Sequence, residues 1–142
     1  MNWGNEIPKS ALVVVEDTMA SSAIAKFLNN NRVESVKVES DSSDAWGLVQ
    51  SNKFDVIFMG WKMKPMSGPA FFNRVRGQQR YATTPILVIT KEVNQEAFKL
   101  LEDFPCSGFT QATDISTIQR ELFRIWEEKI WYEKNIDQVD LI

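Results

Sequence analysis

The chain has 142 residues, of which 44% are hydrophobic and 25% are charged, and its formal net charge is −3. These values are typical of one soluble globular domain, the slight acidity disfavours nucleic-acid binding, and no apolar run approaches the ~20 residues of a membrane-spanning helix. The single cysteine, Cys106, excludes an internal disulfide and favours a reducing compartment, while the absence of histidine excludes histidine-ligated zinc, Ser-His-Asp triads and phosphohistidine relays.

Short β-branched runs alternate with segments of helical periodicity along the chain. Residues 11–15 are continuously apolar, which predicts a strand buried on both faces, and the run ends at the acidic pair Glu16 and Asp17. The spacing of apolar residues at 20–28 predicts a helix, and the alternation at 36–38 predicts a half-exposed edge strand. The later predicted elements are a short helix at 45–49 capped within 42–44, a buried strand at 56–59 ended by Gly60, a helix around 71–75, a strand at 85–90, a helix around 97–104, a short strand at 107–110 and a long helix after Asp114.

Five strands in strict alternation with five helices predict a doubly wound α/β fold with one parallel sheet and an extended C-terminal helix. We expect a lead at residues 1–10, a domain at 11–126 and a helical extension at 127–142. The carboxyl ends of parallel strands meet at one edge of the sheet, which is where such folds carry their sites. Besides the acidic pair, that edge gathers Gly60, Thr90 and either Gln111 or its neighbours.

Four stretches, VVVEDTMASS, FDVIFMGWKMKPMSG, PILVITKE and CSGFTQATDISTIQRELFRIW, together resemble a bacterial response-regulator receiver domain of the single-domain chemotaxis type. The resemblance covers residues 11–126 and implies a flavodoxin-like (βα)5 fold. In that family an aspartate after the third strand accepts a phosphoryl group, an acidic pair helps to hold Mg²⁺, and a hydroxyl and a lysine contact the phosphoryl oxygens. The resemblance assigns the acidic pair to Glu16 and Asp17, the hydroxyl to Thr90 and the aromatic that follows its movement to Phe109.

The sequence departs from the family at the phosphorylation site itself. The phosphoacceptor position is Gly60, which has no side chain on which an acyl phosphate could form. Asp55 lies at the opposite end of that strand, ~16 Å away, and Ser67 has no base beside it. The lysine position is Gln111 or Ala112, depending on the alignment, and neither residue supplies a cation.

These departures indicate a pseudo-receiver that keeps the fold and has lost the phosphoryl chemistry. The predicted remnant pocket consists of Glu16, Asp17, Gly60, Lys62, Thr90 and Gln111. We expect Lys62 to replace Mg²⁺ as the counter-charge, with Glu92 as a competing partner, although Lys62 pointing into solvent is an equal alternative. No cofactor and no metal are expected, and Glu16 and Asp17 would be the ligands if a metal bound.

Large aromatic residues near the C-terminus predict a protein interface. We expect Phe123, Trp126, Ile130 and Trp131 to contribute to a partner or homodimer contact on the face of the fourth helix, fifth strand and fifth helix. The alternative is that the extension folds back and buries them. No nucleic-acid or membrane partner is expected.

The predicted function is phosphorylation-independent signalling in a bacterial cytoplasm through protein contacts, without enzymatic activity. One alternative is regulation by a small ligand or metal in the remnant pocket. Another is a flavodoxin-like flavin electron carrier, which the acidic pair and the lack of glycine after the first strand disfavour.

Overall fold

Five parallel strands form one sheet between two helix layers in the computed structural model, which describes residues 3–4, 6–91, 95–111 and 114–135. In chain order the elements are β1 (Ser10–Val14), α1 (Thr18–Asn30), β2 (Ser35–Glu39), α2 (Ser42–Ser51), β3 (Val56–Gly60), α3 (Gly68–Arg76), a 3₁₀ turn (Gln79–Tyr81), β4 (Ile86–Ile89), α4 (Gln95–Glu102), β5 (Ser107–Thr110) and α5 (Ile115–Lys134). The strand order is β2-β1-β3-β4-β5. The predicted doubly wound sheet and long last helix are confirmed.

The burial of each strand follows its hydrophobic pattern. The apolar runs of β1, β3 and β4 occupy the three central positions of the sheet, where both faces are covered by helices. The polar and apolar residues of β2 alternate at one edge, and Val38 keeps 46% of its surface exposed there. Helices α1 and α5 pack on one face of the sheet and α2, α3 and α4 on the other.

Short polar side chains begin four of the helices by accepting hydrogen bonds from backbone N–H groups. The four capping residues are Asp17 for α1, Asp41 for α2, Ser67 for α3 and Asp114 for α5. The cap of α2 was predicted one residue too late. Ser42 instead bonds the loop before α3, because its hydroxyl accepts from Met66 N at 2.7 Å and donates to Met66 O at 2.8 Å.

The N-terminal segment covers two aromatic residues of α5. The prediction that Phe123 and Trp126 lie at an interface is therefore wrong. Phe123 and Trp126 are only 1% and 2% exposed. The ring of Trp3 lies edge-on against both, with centroids 4.8 Å and 5.5 Å apart, and Trp126 Nε1 donates to Trp3 O at 3.1 Å. Ile130 is partly buried against the same core, which leaves Trp131, 53% exposed, as the one predicted interface residue at the surface.

At the amino-terminal edge of the sheet, one buried guanidinium forms hydrogen bonds with two segments, the one between α3 and β4 and the turn before β5. Arg76, 7% exposed at the end of α3, donates hydrogen bonds to both segments. Its hydrogen-bond acceptors are Tyr81 O at 2.6 Å, Ala82 O at 3.4 Å, Thr84 O at 2.7 Å, Pro105 O at 3.2 Å, Cys106 O at 3.1 Å and Ser107 Oγ at 2.8 Å. Burial lowers the pKa of Arg76 to about 10, which leaves it charged at neutral pH.

A close backbone approach requires glycine at the start of α3. Gly68 N donates to Trp61 O at 2.9 Å, and a Cβ at Gly68 would lie 2.7 Å from Trp61 Cα. We therefore expect Gly68→Ala to lower the free energy of unfolding by ~3 kcal/mol, because the backbone of Trp61 must move. Urea denaturation measures the change.

The matched control is Gly47→Ala in the middle of α2. A Cβ at Gly47 meets nothing within 4 Å, so this substitution should raise the free energy of unfolding by about 0.5–1 kcal/mol through helix propensity. Equal effects of the two substitutions would show that the contact at Trp61 does not constrain the chain.

Candidate functional site

A cavity of about 490 Å³ opens at the carboxyl edge of the sheet, above β1, β3 and β4. Its described lining residues are Val15, Glu16, Asp17, Ala20, Gly60, Trp61, Lys62, Met63, Ile89, Thr90 and Lys91. Five of the six residues predicted for the remnant pocket are therefore brought together. The sixth, Gln111, is not among them. It is exposed after β5, the edge strand, which lies beside β4 and outside the three strands beneath the cavity.

Asp17 is held on two sides. Its Oδ1 accepts from the backbone N–H groups of Met19 at 3.0 Å and Ala20 at 3.2 Å, and its Oδ2 lies 3.4 Å from Lys91 Nζ. The amide of Ala20 and the ammonium of Lys91 hold the pKa of Asp17 below its usual value. The carboxylate thus joins the first turn of α1 to Lys91, two residues after the end of β4.

Asp17 forms an ion pair with Lys91, a contact that the sequence did not predict. The contact arises because the chain leaving β4 passes beside the start of α1. The counter-charge role expected of Lys62 stays a prediction. Lys62 lines the cavity from the loop after β3. Its predicted competing partner, Glu92, lies outside the described residues, as does Ala112, the alternative lysine position.

Gly60 ends β3 and pairs in register with Ile89 of β4. A Cβ placed on it would lie 3.7 Å from Met63 Cγ and 3.9 Å from Val14 O, which are ordinary contact distances. The backbone therefore does not require glycine at this position. A side chain would fit, and its absence leaves space at the floor of the cavity.

Asp55 and Ser67, the other two residues whose side-chain oxygens could have replaced the phosphoacceptor, have structural roles elsewhere. Asp55 accepts from Lys9 N at 2.8 Å and Ser10 N at 3.3 Å at the opposite edge of the sheet. Ser67 accepts from Ala70 N at 3.3 Å at the start of α3. Neither residue replaces the missing side chain of Gly60.

The described side chains do not fit a Mg²⁺ site. Mg²⁺ prefers oxygen ligands in a nearly octahedral arrangement. Among the described lining residues, Glu16 and Asp17 alone bring carboxylates to the cavity, and both oxygens of Asp17 already have partners. Within the described ranges, no three histidine, cysteine, aspartate or glutamate residues come together as a metal site.

Two aromatic rings meet on the face formed by α4, β5 and α5. Phe109 of β5 is half-buried, and its centroid lies 4.4 Å from that of Phe98 on α4. Phe98 keeps 46% of its surface exposed. Beside the pair is a hollow of about 240 Å³, lined by Phe98, Leu101, Glu102, Ser107, Gly108, Phe109, Glu121 and Arg124.

Sequence reasoning missed two of these functional candidates. Lys91 was missed because strand periodicity does not show which side of the sheet a residue after the strand will face. Phe98 was missed because it stands beside Ala97 and Leu101, which belong to the buried stripe of α4. An exposed phenylalanine beside a buried stripe was the available signal.

The whole arrangement matches a known family. Residues 11–109 match the response regulator receiver domain. The chain belongs to this family. It is therefore a receiver domain of two-component signalling. Among the residues that the structure describes, no helix is long and apolar enough to span a membrane.

Solved structures support the same assignment. This receiver domain is 27% identical to the chemotaxis response regulator CheY4 of Vibrio cholerae, with a TM-score of 0.65 over 80% of this chain and 98% of that one. The receiver domain of the sensor histidine kinase PA1611 from Pseudomonas aeruginosa PAO1, with a magnesium ion coordinated in its active site cleft, is 18% identical, with a TM-score of 0.69 over 84% of this chain and 98% of that one. A signal receiver domain of a histidine kinase from Syntrophus aciditrophicus is 15% identical, with a TM-score of 0.70 over 94% and 96% of the two chains, and like PA1611 it supports the fold alone.

Proposed function

We propose that this receiver domain is a pseudo-receiver: a non-enzymatic module of the bacterial cytoplasm that signals through protein contacts without being phosphorylated. The observation that carries the proposal is Gly60 at the end of β3, where the family resemblance places the phosphoacceptor. Glycine offers no nucleophilic oxygen, so the bond to phosphorus has no atom on which to form.

The surrounding charges support the same conclusion. Lys91 already neutralises Asp17, which removes part of the negative charge that would attract a divalent cation. Gln111, one of the two residues that align with the family's lysine, has an amide in place of the ammonium and is not among the lining residues of the cavity. An amide cannot neutralise a phosphoryl oxygen as a cation does.

The proposed contact surface is the α4–β5–α5 face. Phe98 gives it an exposed aromatic group, and the hollow beside it has an acidic excess. Glu102 and Glu121 line the hollow with a single cation, Arg124, whose guanidinium is shared between Glu121 at 3.2 Å and Glu128 at 3.7 Å. A partner segment with an apolar side chain flanked by lysine or arginine fits this surface.

Mass spectrometry after treatment with acetyl phosphate and Mg²⁺ tests the absence of phosphorylation. We expect the intact mass to remain unchanged, while a receiver domain with aspartate at the same position gains one phosphoryl group. Transfer of a phosphoryl group to any residue of this chain would overturn the proposal.

The contact surface is tested with a photo-crosslinking amino acid placed at Phe98 or at Val38. Both side chains are 46% exposed, so they are matched in accessibility but lie on different faces. In the native cells we expect a discrete crosslinked product from position 98 alone, and a product at twice the mass of the chain would identify a homodimer. Equal products from both positions, or none from position 98, would contradict this surface.

A further inference from the structure

The cavity at the carboxyl edge of the sheet has the size and the walls of a small-molecule site. Its volume of about 490 Å³ lies within the ~300–1,000 Å³ typical of such sites. Four of its lining residues are apolar and keep only 5–7% of their surface exposed, namely Val15, Trp61, Met63 and Ile89. A hydrated ion gains nothing from such walls, whereas an apolar group is removed from water there.

Gly60 makes this cavity both larger and less polar. The nearest atoms to a Cβ at Gly60 are Met63 Cγ at 3.7 Å and Val14 O at 3.9 Å, so a side chain could start there without a clash. A carboxylate there would take up part of the cavity and bring a third negative charge beside Glu16 and Asp17. Glycine adds neither this volume nor this charge.

The described charges around the cavity sum to zero. Glu16 and Asp17 are balanced by Lys62 and Lys91, and Asp17 and Lys91 form an ion pair with each other. A ligand with a net charge would meet as much repulsion as attraction. A ligand without net charge can place polar atoms at this rim and its apolar part against the floor.

We propose that the cavity binds a small organic molecule of no net charge, with an aromatic body seated against Trp61 and Met63 and a polar or zwitterionic group at the rim. Its contacts join the ends of β1, β3 and β4, the same strand ends at which a receiver would carry its phosphoryl group. The inference goes beyond the proposed function and rests on it in one respect, since a phosphoryl group would fill the same space.

A series of ligands that share an indole ring but differ in charge tests the proposal. The probes are indole, L-tryptophan as a zwitterion, indole-3-acetate as an anion and tryptamine as a cation, titrated into ¹⁵N-labelled protein. We expect saturable amide shifts at Val15, Gly60 and Ile89 with the first two probes. Binding of the charged probes should be about fivefold weaker, which corresponds to one unmatched unit charge at about 4 Å in water. No saturable shift at these amides, or tighter binding of either charged probe, would overturn the proposal.

Filling the floor supplies the second test. Gly60→Leu should weaken binding of indole and L-tryptophan about tenfold or more while the amide spectrum remains that of a folded protein. Gly47→Leu adds the same side chain on the exposed side of α2, where a Cβ meets nothing within 4 Å, and should leave binding unchanged. Equal affinity in both variants would overturn the proposal. Neither variant creates a phosphoacceptor, so failure of ligand binding leaves the absence of phosphorylation standing. Phosphorylation of the wild type would be seen by mass spectrometry, independently of titrations made on the unphosphorylated protein.

Discussion

Arg76→Met should lower the free energy of unfolding by about 3–5 kcal/mol, the range found when one partner of a buried charged interaction is removed. Three carbonyl oxygens of the segment between α3 and β4, and two at the turn before β5, accept hydrogen bonds from this guanidinium. Methionine can fill much of the volume, but it cannot donate a hydrogen bond. Thr84 O would lose its buried hydrogen bond, whereas Tyr81 O and Cys106 O keep the backbone donors Thr84 N at 3.4 Å and Ile86 N at 3.0 Å. A buried carbonyl left without a donor costs about 1–3 kcal/mol, and each lost hydrogen bond to a charged group adds to that cost.

Backbone acceptors make this case different from a buried ion pair between two side chains. A side-chain pair can be replaced on both sides by apolar groups at little cost, whereas the carbonyls here belong to the backbone and remain whatever the substitution. Removing the charge recovers part of the desolvation penalty that lowers the pKa of Arg76, but the hydrogen bonds to all five carbonyl oxygens are lost with it. The turn also holds Cys106 at a φ of 59°, a conformation that favours glycine, so its hydrogen bonds to Arg76 oppose local strain.

Urea denaturation of Arg76→Met, Arg76→Lys and Arg74→Met separates these effects. Arg74 stands on the exposed side of the same helix, with its guanidinium 5.9 Å from the ring centroid of Trp46, and its loss should change the free energy of unfolding by no more than about 0.5 kcal/mol. Lysine keeps the charge but not the planar fork, so Arg76→Lys should fall between the other two. A loss below about 1 kcal/mol for Arg76→Met would show that the two loops hold together without it.

The fold could be predicted from the sequence because each central strand carries a continuous apolar run. Residues 11–15, 56–59 and 86–89 are apolar at every position, and strands of that kind need helices on both faces. The alternation at 36–38 likewise identified the edge strand. Boundaries differed by one residue where polar residues cluster, as at Asp41, because any of several adjacent oxygens can cap a helix.

The aromatic residues of α5 could not be placed from the sequence, because their burial depends on a segment more than a hundred residues away. The helical spacing of Phe123 and Trp126 is the same whether the two side chains lie at an interface or in the core. What decides between the two is Trp3, which has no periodic neighbours to mark it as a core residue and yet is only 4% exposed. The ion pair of Lys91 with Asp17 has a similar origin, since it depends on the path of two loops.

The strand-end site, in contrast, was predictable as a set. Glu16, Gly60 and Thr90 come together because parallel strands in adjacent positions place their carboxyl ends at one edge. The same reasoning wrongly placed Gln111 at the cavity, because this residue follows β5, the last strand of the sheet. Position in the strand order, which periodicity does not give, determines how near a strand end lies to the cavity.

Gly60→Asp should give this receiver domain a measurable affinity for Mg²⁺. The backbone admits the new side chain without a clash, and its carboxylate would join those of Glu16 and Asp17 at the strand ends. One carboxylate at about 4 Å from a divalent cation is worth ~2 kcal/mol even in bulk water, which corresponds to about 30-fold in affinity. Titration calorimetry with MgCl₂ measures the gain against the wild type.

Gly60→Asn is the matched control, since the amide has nearly the same volume without the charge. Without Mg²⁺, mutual repulsion of three carboxylates should make Gly60→Asp less stable than Gly60→Asn, and added Mg²⁺ should restore its melting temperature by mass action. Lys91 competes with the cation for Asp17, so Lys91→Ala combined with Gly60→Asp should bind Mg²⁺ more tightly than Gly60→Asp alone. Equal Mg²⁺ affinity in Gly60→Asp and Gly60→Asn would mean that the missing carboxylate is not what separates this site from a metal-binding receiver, because the two variants differ in charge alone.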